Sequence, residues 1–284
     1  MPVSGFNPGT GGFVTFPGGK FVLDQASNVA LPANTVHNGA FTFDRAVSRW
    51  LPVAWDWVTP DGSRYAYTDR AGAVHVVDAA SGSDRSLAFA QGAVAIKPDE
   101  TLVILDFSTE GIYLMAAPAL GGFPRGLWLA DPATGAVRQL TDQGSWQRID
   151  NGAVWGSPIP RADAGAQTGG VSLIRLDLKA LAIASWYQRA GTQLVVIGFE
   201  GDHPLAMIST SGATEIWAVS SPASAVKVYA GAGQEAPGAL NLTGRGVKDS
   251  HGLWLGSPDG LLLYSGGVLK RVSTADGWVG GACS

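Results

Sequence analysis

Short apolar runs, each cut by a turn, recur from one end of this chain to the other. No long stretch carries apolar residues three and four apart with a clean polar face. The pattern therefore predicts strands and almost no helix. Arg64 to Thr68 reads as a strand, Val74 to Val77 as the next, and Asp78-Ala79-Ala80-Ser81-Gly82 as the turn after it. Leu127 to Ala130 repeats the unit, with Asp131-Pro132-Ala133-Thr134-Gly135 as the turn and Val137 to Leu140 behind it. Both turns open on Asp, which caps backbone N–H groups, and close on Gly, which takes a positive φ without strain. Further hairpins pair Ser172 to Leu176 with Leu181 to Trp186, Glu215 to Val219 with Val226 to Tyr229, and Leu261 to Tyr264 with Val268 to Val272. Phe41 to Phe43 before Asp44-Arg45 is a weaker early copy.

One punctuation mark returns among these strands. An apolar run reaches a small polar residue or Pro, turns on an acid and Gly, and resumes. Its clearest copies are Trp57-Val58-Thr59-Pro60-Asp61-Gly62 and Leu255-Gly256-Ser257-Pro258-Asp259-Gly260. Marks at Pro17, Pro60, Glu110, Pro158, Gly201 and Pro258 are 43, 50, 48, 43 and 57 residues apart by subtraction. A period in this range, with four strands per unit, is that of a β-propeller blade. The predicted fold is all-β: a six-bladed β-propeller with four-stranded antiparallel blades. Residues 1–12 read as an N-terminal extension and 13–284 as a single propeller domain, its ring closed by terminal strands. The last unit, Gly252 to Val272, offers three strands. Its fourth is expected from Trp278 to Gly281 or from the N-terminal segment. The tryptophans, Trp50, Trp55, Trp57, Trp128, Trp155, Trp186, Trp217 and Trp254 among them, are expected mostly to fill the space between blades. Ala117 to Arg125 and Ile159 to Gly170, rich in Gly and Pro, read as loops protruding from one end of the ring.

Composition supports a packed chain: 46% of residues are hydrophobic, 15% are charged, and 39 are Gly. That much apolar surface excludes disorder, and that much Gly suits many tight turns. The net charge of -4, from 19 basic and 23 acidic residues with no basic block, argues against a nucleic-acid partner. The lone Cys283 cannot form an internal disulfide or, by itself, a thiolate metal site. Met1 to Gly19 lacks the basic start and apolar run of a secretory signal, and no apolar stretch is long enough for a transmembrane helix.

The units 55–62 and 252–260, with the Asp78 to Gly82 and Asp131 to Gly135 turns, resemble bacterial β-propellers of the TolB-like and YVTN type. Those families use a W-x-PDG turn followed by a strand and a D-x-x-TG hairpin. The resemblance spans about residues 13 to 272 and is specific for fold. It implies a periplasmic, extracellular or cell-surface location and, from some members, a partner-binding role. The chain departs from the pattern in places. Only two of the six marks have the full Pro-Asp-Gly form, no WD40 pairing recurs in register, and no regular Asp-rich calcium loop appears.

Catalytic signatures are sparse. There is no G-x-S-x-G elbow, and Ser250-His251 are adjacent, which puts their side chains on opposite sides of a strand. The histidines are His37, His75, His203 and His251. Asp202-His203 and Asp249 with His251, joined by Asp56 and Asp150, could converge on a metal ion; turn capping is the simpler reading, and no metal or other cofactor is expected. His75, mid-strand, reads as a satisfied core or interblade histidine. Glu200, Asp202, Asp249, Asp56, Asp106 and Glu110 supply carboxylates for glycoside chemistry if any two share a cavity. The candidate ligand-binding set is Trp55, Asp56, Trp146, Arg148, Asp150, Asp249 and His251, turn residues expected to line one mouth of the tunnel. Trp146 and Arg148 offer stacking and carboxylate or carbonyl recognition; alternatively, Arg148 and Asp150 pair locally. The expected function is that of a non-catalytic binding or scaffold propeller recognising a protein, peptide or small polar ligand. The alternatives are a carboxylate- or metal-dependent hydrolase or lyase, lactonase- or glycosidase-like, and a structural surface or assembly subunit.

Overall fold

The computed structural model describes the chain except residues 6, 33–34, 36–39, 91, 120–121, 160–170, 190–192, 211–212, 233–245, 258–259 and 283–284. Among the described residues, regular structure is strand apart from two single 3-10 turns, Gln25–Ser27 and Trp55–Trp57. The chain opens with β1 (Pro2–Ser4), β2 (Gly12–Val14) and β3 (Phe21–Leu23), then a hairpin of β4 (Thr42–Asp44) and β5 (Arg49–Leu51). Next come β6 (Arg64–Thr68), β7 (Val74–Asp78) and β8 (Asp84–Ser86). Consecutive groups of four follow. The first is β9 (Glu100–Ser108), β10 (Gly111–Pro118), β11 (Arg125–Ala130) and β12 (Val137–Thr141). The second is β13 (Ser145–Asp150), β14 (Ala153–Ser157), β15 (Val171–Asp177) and β16 (Ile183–Arg189). The third is β17 (Gln193–Glu200), β18 (His203–Thr210), β19 (Ala213–Ser221) and β20 (Ser224–Ala232). The fourth is β21 (Val247–Asp249), β22 (Gly252–Ser257), β23 (Gly260–Ser265) and β24 (Val268–Ser273), and β25 (Trp278–Val279) comes last.

These strands build a six-bladed β-propeller of antiparallel sheets. Blade I has the order β25-β1-β2-β3; blades III to VI are the four consecutive groups, each paired in sequence order. Blade II is β6-β7-β8, with Val58 bridging Tyr65 where a fourth strand would pair. The β4–β5 hairpin is wedged between blades I and II. On one side Phe43 N donates to Gly280 O, and Phe43 and Trp50 make ring contacts with Phe13. On the other, Leu51 and Val53 join a core with Tyr65, Tyr67 and Val77.

Alternation along the strands explains why the apolar runs are short yet unbroken. Successive side chains point to opposite faces, and each blade is covered on both faces by its neighbours. On β11, Trp128 and Ala130 enter the core shared with blade II, while Leu127 and Leu129 enter the core shared with blade IV. The same division recurs at the remaining seams, with Trp155 and Val196 between blades IV and V, Ile197 and Leu255 between V and VI, and Trp254 and Val3 between VI and I. Of the tryptophans, Trp50, Trp128, Trp146, Trp155 and Trp254 are buried, whereas Trp55 is 39% exposed.

Several expectations are revised. Residues 2–4 are no extension: β1 pairs with β2 and with β25, so chain start and chain end share one blade. The fourth strand of the last unit is β21, upstream of it, and Trp278–Val279 goes to blade I instead. The marks are also not equivalent. Pro60, Glu110 and Gly201 lie in first turns of blades II, III and V, but Pro17 lies between β2 and β3 and Pro158 follows β14. Pro258 and Asp259 fall outside the described residues, between β22 and β23. Pro and Gly serve any tight turn, so the mark could not distinguish one hairpin of a blade from the next. The position that recurs is a positive-φ glycine in or just after each first turn: Gly62, Gly111, Gly152, Gly201 and Gly252, separated by 49, 41, 49 and 51 residues by subtraction.

His75 sits mid-strand on β7, half-buried. Its ring stacks on Tyr67 at 4.5 Å, and Nδ1 lies 2.9 Å from an Asp84 carboxylate oxygen. In the 117–125 stretch, Phe123 is exposed, and Arg125 anchors the end through two 2.7 Å bonds to Glu100. Residues 160–170, His37 and Cys283 lie outside the described residues. Among the described residues, no helix is long and apolar enough to cross a membrane.

Candidate functional site at the tunnel mouth

The site begins with an irregularity repeated in three strands that each open a blade. The pairing register skips Leu105 in β9, Gln147 in β13 and Ile197 in β17. Such a bulge turns two successive side chains to one side and leaves backbone groups outside the ladder. In β13 it separates two residues that simple alternation would keep together. Trp146 enters the core between blades III and IV, and its indole N–H donates to Gln143 O at 3.0 Å. Gln147 and Arg148 instead both reach toward blade V: Gln147 Oε1 accepts from Val196 N at 2.8 Å, and Arg148 Nη2 donates to Ile197 O at 3.2 Å.

Ile197 is the bulged residue of β17. Its carbonyl also accepts from Gly246 N at 3.0 Å, and Gly246 O accepts from Arg148 Nη2 at 3.1 Å. The other arm, Nη1, donates to Asp56 Oδ1 at 3.1 Å. Asp56 belongs to the turn leading into blade II, Arg148 to blade IV, Ile197 to blade V, and Gly246 precedes blade VI. Blades II and IV are not neighbours, so this ion pair reaches past blade III. The side chains of Arg148 and Asp56 are 8% and 15% exposed. One buried guanidinium, bonded through its two Nη atoms to a carboxylate and two carbonyls, thus ties segments of four blades together.

Against this floor lies a cavity of about 320 Å³, at the end of the ring where β13 and β17 finish. Asp150 and Asn151 form its blade IV wall and Lys248 its blade VI wall; Ile149, Phe199 and Leu253 supply apolar surface. Asn151 Nδ2 donates to Asp202 Oδ1 at 2.8 Å and links the rims of blades IV and V. Burial pushes the Asp150 carboxyl above the usual range; nearby Lys248 pulls it down and Asp202 pushes it up. Among the described residues, no donor hydrogen-bonds to the Asp150 carboxylate and no acidic side chain pairs with Lys248.

Of the seven residues singled out from the sequence, the fold brings Asp56 and Arg148 into contact, and Arg148 and Asp150 both line the cavity. Arg148 pairs with Asp56 of another blade, not locally with Asp150. Trp55 is exposed next to Asp56, its ring near Gly281. Trp146 is 2% exposed and presents no face for stacking. Asp249 and His251 turn toward blade I. Asp249 accepts from His251 N at 2.8 Å and from Trp254 Nε1 at 2.7 Å, and the His251 ring meets Phe16 edge-on at 4.8 Å. Asp56, Asp150, Asp202, His203, Asp249 and His251 therefore do not form one cluster. Among the described residues, no group of three or more His, Cys, Asp or Glu is placed to hold a metal ion. Sequence reasoning missed Lys248 and Asn151. Lys248 was within reach of it: strand alternation puts Val247 and Asp249 on one face of β21 and Lys248 on the other.

No family model and no curated protein matches the chain. Solved structures do. An oligogalacturonate lyase in complex with manganese matches with TM-score 0.50 at 10% identity, over 76% of this chain and 63% of the lyase. The PQQ-bound aldose sugar dehydrogenase of Streptomyces coelicolor matches with TM-score 0.46 at 13% identity, over 77% and 81% of the two chains. BamB of Moraxella catarrhalis matches with TM-score 0.37 at 12% identity, over 85% and 86%. The likeness is one of fold. The chain spans less than two thirds of the lyase's length, and identities this low carry the propeller and nothing of the chemistry.

Proposed function

We propose that this protein is a non-catalytic binding propeller that takes a small polar ligand, or a polar side chain of a protein partner, at the mouth of its ring. Asp150, Asn151 and Lys248 make the contacts, and Arg148 holds the floor. The observation that carries this reading is the pair of opposite charges on facing walls of the cavity, neither with an ionic partner among the described residues. Holding a carboxylate partly out of water with no donor costs free energy, and such groups cluster where a ligand supplies the missing bond. The cavity volume is at the small end of the range for ligand pockets, which favours a small molecule or one side chain over an extended peptide. The resemblance of the repeat units to TolB-like propellers supports a place outside the cytoplasm.

The test is a thermal-shift screen of polar small molecules on the native protein, repeated on Asp150→Asn and Lys248→Gln. A ligand whose stabilisation disappears in both variants supports the mouth as the site. Hits that survive both substitutions unchanged would place binding elsewhere. A second reading has one observation in its favour. A carboxyl raised by burial suits a general base or acid, so Asp150 could serve a hydrolase or lyase. Turnover of lactone or glycoside substrates that is lost in Asp150→Asn would favour that reading over simple binding.

A further inference from the structure

Resting on the mouth reading above, we infer that the cavity selects a zwitterion with an apolar side chain, of the size of a free amino acid. Asp150 takes the ammonium group, Lys248 the carboxylate, and Ile149, Phe199 and Leu253 the side chain.

The argument is one of charge accounting. Arg148 contributes no net charge to the cavity, because Asp56 neutralises it and the Ile197 and Gly246 carbonyls occupy its other arm. Among the described residues, that leaves Asp150 on blade IV and Lys248 on blade VI, with the acidic Asp202 nearby. A simple anion meets Lys248 but is repelled by Asp150 and Asp202. A simple cation meets Asp150 but is repelled by Lys248. A neutral polyol leaves the half-buried carboxylate without an ionic partner. Only a ligand carrying both charges satisfies both walls, and charge-assisted hydrogen bonds are the stronger kind. The two walls belong to different blades, so such a ligand bridges blades IV and VI above the Arg148 floor. The volume of about 320 Å³ admits a molecule of that size. The apolar residues on the remaining surface favour an aliphatic or aromatic substituent over a charged one.

Calorimetric titration of the intact protein with three probes separates the possibilities: leucine (both charges), leucinamide (amine only) and N-acetylleucine (carboxylate only). Leucine is expected to bind about tenfold or more tightly than either single-charge probe, the size of one lost charged hydrogen bond. Asp150→Asn is expected to erase its advantage over N-acetylleucine, and Lys248→Gln its advantage over leucinamide. Both substitutions are close in shape to the native side chains, and near-UV circular dichroism checks that the fold is kept. Leucinamide or N-acetylleucine binding as tightly as leucine overturns the zwitterion inference but leaves the mouth as a binding site. If none of the three binds, the inference falls, and the mouth reading then rests on the broader screen alone.

Discussion

Arg148 shows how much of this architecture hangs on one side chain. Its guanidinium is buried, and its partners come from three other segments of the ring. Arg148→Met would remove the cationic partner of the Asp56 carboxylate and one donor each from the Ile197 and Gly246 carbonyls. Removing one member of a buried pair costs about 3 kcal/mol or more. Urea denaturation should show that loss, and Asp56→Leu combined with Arg148→Met should recover part of it. Asp150 is expected to behave in the opposite way. Its folded-state pKa is raised, so the ionised form is the less favoured in the folded protein, and the penalty applies above that pKa. Asp150→Asn should therefore raise the melting temperature at pH 7 and leave it unchanged at pH 3, where the native carboxyl is already protonated. A stability gain with a binding loss is the pattern of a functional group kept at a cost in stability. Asp61 illustrates the commoner sign. Thr59 Oγ1 at 2.6 Å, then the Ser63 amide at 3.0 Å and hydroxyl at 2.8 Å, donate to its carboxylate and lower it from 3.8 to about 2. Its contribution is present above pH 3.8 and lost as pH falls through 2, so the melting-temperature gap between native protein and Asp61→Ala should close over that interval.

At the scale of the element, two devices place the site: alternation and the bulge. Alternation was readable. A continuous apolar run in a strand means both faces are covered, and β11 divides its residues between two seams for that reason. The bulge was not readable, because a one-residue skip leaves composition and spacing unchanged. It is decided by how β13 and β17 must bend to meet at the axis. Trp146 and Arg148, two apart in sequence, looked like partners on one face, and the bulge at Gln147 sends them to different sides. Close strand approach gives a further test. A Cβ on Gly256 would lie 2.4 Å from Gly277 O and 2.9 Å from Trp278 Cα, both backbone atoms with little freedom to retreat. Gly256→Ala is expected to destabilise by about 2 kcal/mol through overpacking at the seam where the ring closes, measured by urea denaturation.

Across the whole molecule, closure is the event that covers the last sheet edges. β25 pairs with β1 through Val3 with Val279 and Ser4 with Trp278, joining segments from opposite ends of the sequence. Deleting residues 277–284 would expose the edge of β1 and the blade VI face that β25 covers. An unpaired edge invites pairing between molecules. The truncated protein is expected to melt at lower temperature and to grow in mass with concentration by light scattering, under conditions where the full chain does not.

The sequence by itself determined the class of this protein. Short apolar runs, Asp-to-Gly turns and a period in the forties to fifties demand short sheets stacked face to face, because those are local properties of strands and turns. The positions of the blades along the chain were mostly legible for the same reason, although the Pro-based marks mixed first turns with later ones. Three things only the tertiary structure decided: that the two chain ends share a blade, that Arg148 reaches past blade III to Asp56, and that Asp150 and Lys248 line one cavity. Each joins residues far apart in sequence, and each depends on the cumulative rotation from blade to blade around the ring. That rotation leaves no trace in any one repeat.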